Sequence, residues 1–235
     1  MTILQYPGSQ TLDFGTTAVR ATVLRDAVKH RVSGRATVVN LGAPDATIHA
    51  RHDTRIPALG SATVVDTDIS GHWIAVFSNT KVASVASDAR RNWHDFYGAR
   101  GGTPGAHPEL LRSPQHPVGT VALDKAAILR QPELPAVRTD FDLRLNLWFS
   151  PAGTACGIHH EHEFLEVHTQ LAGLGRMQKF NTPSPDSLYE EYLLSEGNTN
   201  PPTFCSEHDS RFSYPWHQYF ADTDCVWLAA EYHAR

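Results

Sequence analysis

From Asp142 to Phe149 the chain alternates without a break, setting Asp142, Arg144, Asn146 and Trp148 against Leu143, Leu145, Leu147 and Phe149. A period of two sends side chains to opposite faces of an extended strand, and a helix would scatter those leucines around its circumference. One face must therefore pack on a core. The other, polar apart from one indole, suits solvent or the lining of a pocket. Such a strand needs partners, and β-rich runs recur at 35–41, 46–50, 62–66 and 72–78. They are divided by Gly-Ala-Pro-Asp at 42–45, by Pro57 to Gly60 and by Ser70-Gly71. Short strands with turn residues between them predict a sandwich or barrel rather than alternating βαβ units.

In the C-terminal half, 165–171 places Glu166, His168 and Gln170 on one face and apolar residues with Thr169 on the other. The run 225–232 (CVWLAAEY) is nearly all apolar and reads as a strand buried on both sides. Periodicity leaves 188–194 open between helix and strand, and its strand neighbours favour strand. The helix expected is 88–97, capped by Asp88 and ended by Gly98. We divide the chain into an N-terminal β-rich unit (1–100), a glycine- and proline-rich connector (101–119) and a C-terminal barrel (120–235). A single larger sandwich with a surface excursion at the connector is the alternative.

Net charge is −5, and the 20 lysines and arginines are scattered, so nothing forms the basic stripe that nucleic acid or an anionic membrane requires. The start, MTILQYPGSQTLDF, has no cationic n-region or apolar h-region, and no apolar run approaches the ~20 residues that span a bilayer. Cys156, Cys205 and Cys225 show no CxxC spacing. Reduced thiols in a cytoplasmic protein are the expectation.

Histidine is the exceptional residue: of fourteen, four fall between 159 and 168. On a strand His160 and His162 share a face, Glu166 stays in register with them, and His159 points the other way. Two neutral imidazoles and a carboxylate suit Fe, Mn, Ni, Cu or Zn better than Mg or Ca.

The spacing His160-x-His162-x3-Glu166-x6-Gly173 resembles the first motif of the cupin family. Tyr214-Pro215-Trp216-His217, with Asp222 five residues on, resembles the second in outline. Three features depart from the pattern. Gly153 stands one residue too far from His160, Pro215-Trp216 replaces the usual PxG, and fifty residues separate Glu166 from His217. The resemblance covers roughly 138–235 and implies an all-β jelly roll, a double-stranded β-helix with a metal in its mouth. It implies four ligands, His160, His162, Glu166 and His217, around one divalent ion. Fe(II) is favoured, and Mn, Ni or Zn are alternatives. Two coordination positions would remain for water, substrate or O2. An N-terminal half of the same kind would have lost its ligands, since His49 and His52 lie on opposite strand faces with no glutamate following. The sequence itself is silent on oligomeric state, and the resemblance admits a homodimer, since cupin barrels commonly dimerise.

His168 and Gln170 share the face of Glu166 and should line the pocket. Arg144 and Trp148 are the further candidates to touch a substrate, and Cys156 reads as a small buried hydrophobe. The resemblance points first to a mononuclear non-haem iron oxygenase acting on a small organic molecule. A redox-neutral isomerase, epimerase or lyase, with His168 or Tyr219 as base, comes second. A non-enzymatic small-molecule-binding barrel comes third.

Overall fold

The computed structural model describes residues 8–78, 80–98, 107–200, 204–208 and 211–235. In the N-terminal half, β1 (Ser9–Leu12), β2 (Arg20–Asn40), β3 (Ala46–His49), β4 (Thr54–Ile56) and β5 (Ser61–Ser78) form one sheet in the order β1-β2-β5-β3-β4. The runs at 62–66 and 72–78 prove to be a single strand, as does everything from 20 to 40. Ser70-Gly71 is no turn: a Cβ on Gly71 would stand 2.7 Å from Ile74 Cδ1, so the glycine permits close packing inside β5. Val76 pairs with both Thr22 and Val38, so β2 wraps round to meet β5 twice. Register shifts at 27–30 and 32–35 bend it, with Asp26, Lys29 and Gly34 at positive φ.

The helix α1 spans Val82–Asn92 and buries Val85, Ala86 and Ala89. It begins six residues before the expected cap, because Val82, Val85, Ala86 and Ala89 make an apolar stripe from small side chains that is easily overlooked. Asp88 sits within the helix and accepts hydrogen bonds from Thr16 Oγ1 (2.7 Å) and the Arg91 guanidinium (2.6 Å). Trp93 leaves the helix in extended conformation and donates its indole N–H to Phe14 O.

Next come β6 (His94–Asp95), β7 (Leu111–Arg112), β8 (His116–Asp124), α2 (Lys125–Leu129), β9 (Arg138–Ser150), β10 (Thr154–Ala155) and β11 (Leu165–Ala172). They are followed by β12 (Gly175–Phe180), β13 (Leu188–Leu194), β14 (Ser206–His208), β15 (Arg211–Ser213), β16 (Trp216–Ala221) and β17 (Cys225–Ala234). One sheet runs β11-β17-β9-β7-β6 with β8 also on β9, and the other β10-β16-β12-β13. Their inner faces meet through Trp148 and Trp227 on one side and Met177, Tyr219 and Ala221 on the other. The result is an all-β protein whose C-terminal half is a two-sheet jelly roll. Of the expected connector, 101–106 lie outside the described residues, while β7 and the start of β8 join the sheet beside β9.

The leucine face of β9 packs away from the barrel interior. Leu143, Leu145, Leu147 and Phe149 join Phe14, Val39 and Phe77 of the N-terminal half and Leu228 and Tyr232 of β17 in one core. Tyr232 Oη donates to Leu41 O across it (3.0 Å). A smaller core, including Leu24, Val38, Ile69 and Ile74, lies within the N-terminal sheet. No helix among the described residues is long and apolar enough to cross a membrane.

Between β11 and β12 the chain turns at Gly173, where φ is +80° and a Cβ would stand 2.0 Å from Asp224 O. Gly153 has a similar φ of +78° but nothing within 4 Å. Left-handed backbone alone costs an L-residue about 1–2 kcal/mol. Gly173→Ala should add a backbone clash to that strain, so thermal denaturation should show a clearly larger fall in Tm for it than for Gly153→Ala.

Candidate metal centre

Strand β17 is paired on both edges, and its register sets the wall of the barrel. Glu166, Glu231 and Arg144 stand in one row across β11, β17 and β9. His168, Ala229 and Asn146 form the next row, and Gln170, Trp227 and Trp148 the third. The free edge of β11 is held by the segment 197–200. Asn200, wholly buried, donates its backbone N–H to His168 O (3.0 Å) and accepts the His168 N–H on Oδ1 (3.0 Å). Its Nδ2 donates to Tyr219 Oη (2.8 Å).

The imidazoles reach the site by another route. His159 and His217 exchange backbone hydrogen bonds of 3.0 and 2.8 Å as an isolated antiparallel pair, so their side chains leave on one side with ring centroids 4.3 Å apart. The chain then leaves the sheet from 160 and bends at 163–164, and the i, i+2 rule does not carry across this unpaired segment. His160 packs against the Trp216 ring, centroids 3.9 Å apart. His162 returns, with Nε2 at 3.2 Å from His217 Nε2. His159, His162 and His217 can each offer a nitrogen within 4.8 Å of the others. Tyr214 secures the turn, donating to Phe164 O (3.0 Å) and accepting from the Glu166 N–H (2.9 Å).

Donor chemistry and spacing both fit a transition-metal ion. Two nitrogens bound to one ion at about 2.0–2.1 Å stand roughly 3 Å apart. His217 Nδ1 lies 2.9 Å from Pro215 O, which can only accept, so Nδ1 bears the proton and Nε2 presents its lone pair. Burial pushes His217 down to about 3, with His159 adding to the effect. Burial likewise takes His162 to about 4, against the opposing pull of Glu166. Phe164, Phe204 and Tyr214 supply that dry environment. Burial alone would raise the Glu166 carboxyl, but His168, His162 and His217 together hold it at about 2. Neutral imidazoles beside an ionised carboxylate are the protonation states that ligation requires. Glu166 Oε2 stands 3.9 Å from His162 Nδ1 and Oε1 3.1 Å from His168 Nε2, the latter poorly angled for a hydrogen bond.

A cavity of about 770 Å³ opens beside this group. His159, His162, Glu166, His168, Tyr219 and Trp148 line it, whereas Arg144 and Gln170 do not. Arg144 is exposed although Glu166 and Glu231 of the same row line the cavity, and Gln170 is wholly buried with its Nε2 on Ala172 O (2.7 Å). Tyr219 stacks on His168, centroids 4.2 Å apart, and burial with Glu166 and Cys156 nearby pushes its phenol well above the usual value. It is therefore a neutral hydroxyl and a poor base. Cys156 is buried, its thiol pushed up to about 12 by burial, and Tyr97 Oη donates to its carbonyl (2.6 Å). Asp222 is bound by Arg176 at 2.8 and 2.6 Å and lies apart from the imidazoles in role.

Two residues escaped the reading of the sequence. His159 does point away from His160, as expected, but it is His159, exposed at the cavity edge, and not His160 that stands beside His162 and His217. Glu231, a lone carboxylate in an otherwise apolar strand, was a visible anomaly. It lines the cavity, is 5% exposed, and accepts from Asn146 Nδ2 (2.7 Å) and Gln115 Nε2 (2.8 Å).

No protein-family model matches this chain, and no curated protein does. Among solved structures it is similar to a cupin 2 conserved barrel domain protein from Leptotrichia buccalis. That match has 10% identity and a TM-score of 0.29, covering 99% of this chain and 87% of the other. It is also similar to a Bacillus subtilis oxalate decarboxylase with Mn(II) centres, at 10% identity and a TM-score of 0.32 over 93% and 70% of the two chains. Vicilin from Corylus avellana matches at 11% identity and a TM-score of 0.31 over 97% and 84%. Likeness of this degree leaves the site to stand on its own residues.

Removing a ligand should release the ion. His162→Ala and His217→Ala should each lower the metal content of the purified protein severely. His159→Ala should lower it too, while His160→Ala should leave most of it. Elemental analysis of the four variants checks this, and the opposite result for the last two would restore the spacing His160-x-His162 as the ligating pair.

Proposed function

We propose that this protein is a mononuclear metal-dependent enzyme, an Fe(II) oxygenase acting on a small organic molecule in the cavity beside the imidazoles. The observation that carries this reading is the pair of neutral imidazoles, buried His217 and half-buried His162, with facing nitrogens 3.2 Å apart, an ionised carboxylate alongside and a cavity at their edge. His162, His217 and His159 would hold the ion, with Glu166 beside Nδ1 of His162 as the carboxylate that orients that ring or joins the ligands. Bound Fe(II) would supply the one-electron chemistry that lets O2 react with a closed-shell organic substrate, while Mn, Ni or Zn suits the same donors.

The chain's own residues then have separable tasks. Phe164, Phe204 and Tyr214 keep water from the ligands and hold them unprotonated. Trp148 and Phe96, in edge contact with centroids 5.1 Å apart, give the cavity an apolar side against which a substrate lies. Tyr219, a neutral phenol fixed by Asn200, offers a hydrogen bond to a substrate or product oxygen.

One observation favours a redox-neutral alternative. His168 lines the cavity, is 7% exposed and has an unpartnered Nδ1, which is what a proton-transferring base needs. The two readings separate when the protein is loaded with Fe(II) without air and O2 uptake is followed with a panel of small organic molecules. Substrate-dependent O2 consumption is the expected result. Full turnover without O2 would replace the oxygenase with an isomerase or lyase, and metal retention without any turnover would leave a binding barrel. His168→Asn should keep the metal and lower turnover by about a hundredfold if the ring moves a proton.

A further inference from the structure

The cavity wall carries one basic side chain, and it has no carboxylate partner among the described residues. Arg112, half-buried on β7, is the only arginine or lysine among the described residues that line the cavity. Other arginines near this barrel have acidic partners: Arg90 binds Glu109 at 2.8 Å, and Arg176 binds Asp222 and Glu191. Arg112 has no carboxylate partner among the described residues. Its guanidinium lies instead over the Trp148 ring, 5.6 Å from the centroid. A guanidinium stacked on an indole keeps its N–H edge free for a planar anion.

The carboxylates of the same cavity do not compete for this role. Glu166 stands among imidazoles, and Glu231 is occupied by Asn146, Gln115 and His233. Glu161 and Glu163 are exposed and solvated. The backbone register places Arg112 beside Trp148, Trp148 beside Trp227, and Trp227 beside Gln170. Strands lie about 4.8 Å apart, so roughly 14 Å of sheet separates Arg112 from β11, which carries Glu166 and His168. Aromatic rings, including Phe96, Tyr97, Trp148 and Trp227, fill the ground between. The buried Trp148 indole N–H also lacks an acceptor.

We infer that Arg112, stacked on Trp148, is the anion subsite of this cavity, and that the substrate class is a small organic acid. Its carboxylate pairs with Arg112 and its ring or apolar body lies along the aromatic wall toward the imidazoles. The inference rests on the reading of this cavity as the substrate site.

The test titrates the metal-loaded protein with three probes of one shape, 4-fluorobenzoate, 4-fluorobenzamide and 4-fluorobenzylamine, followed by fluorine NMR line width and by tryptophan fluorescence. The benzoate should bind, with the amide and the amine weaker by about tenfold or more. Arg112→Gln should weaken the benzoate by a similar factor without changing metal content or Tm, and Arg112→Lys should recover part of the loss. Equal benzoate binding by Arg112→Gln and the unaltered protein would overturn the subsite, since the acid would then be reaching the metal or the wall unaided. Preference for the amine, or failure of the benzoate to bind at all, would overturn it too. Metal content on the same samples separates the two claims. Arg112-dependent binding by a protein that takes up no metal removes the metal reading and leaves the subsite. Metal uptake with Arg112-independent binding does the reverse.

Discussion

Strand β17 carries hydrogen bonds on both edges, to β9 and β11, and is buried over eight of its ten residues. Its register decides which side chains face the shared core and which face the barrel, because a slip of one residue would exchange the two sets. Val226, Leu228 and Tyr232 go to the core, and Trp227 and Glu231 to the cavity wall. A buried carboxylate is tolerated only when its oxygens are satisfied. Asn146 from β9 and Gln115 from the segment before β8 satisfy those of Glu231, which ties three parts of the chain to one register. Glu166 and His168 then stand at fixed places beside it.

The same dryness governs the site's chemistry. Burial favours the neutral form of an imidazole and disfavours an isolated carboxylate. His162 and His217 are therefore available as lone-pair donors, and the neighbouring imidazoles, His168 foremost, draw the Glu166 carboxyl below the usual range against the effect of burial. Removing any member of such a group changes the protonation of the others, so the residues act as one unit. At the far side of the cavity the balance is reversed, since Arg112 keeps a charge that no described side chain neutralises.

Much of the fold was legible. The alternation at 142–149 placed the leucines in a core and left the Trp148 face to solvent or a pocket, which the structure resolves as a cavity wall, and 165–171 and 225–232 appear as strands with the expected faces. The run at 188–194 is a strand, as its neighbours suggested. The helix was misplaced because its buried face is mostly alanine and valine, which carry little hydrophobic contrast. The N-terminal strands were cut at glycines that in fact serve close packing and bending within continuous strands.

The histidine cluster shows where a sequence stops determining a site. Side-chain alternation follows from backbone geometry, so wherever the chain stays extended the sequence alone settles which residues share a face. That holds for Glu166 and His168, and it yields the composition of the donor set, imidazoles with a carboxylate. It fails between 160 and 164, where the chain leaves the sheet and the i, i+2 rule no longer applies. Pairing of His159 with His217 across 58 positions, stacking of His160 on Trp216 and the return of His162 are decided by tertiary contacts. So is the meeting of Arg112 with Trp148, since hydrogen bonding between strands brings together residues that no local period relates.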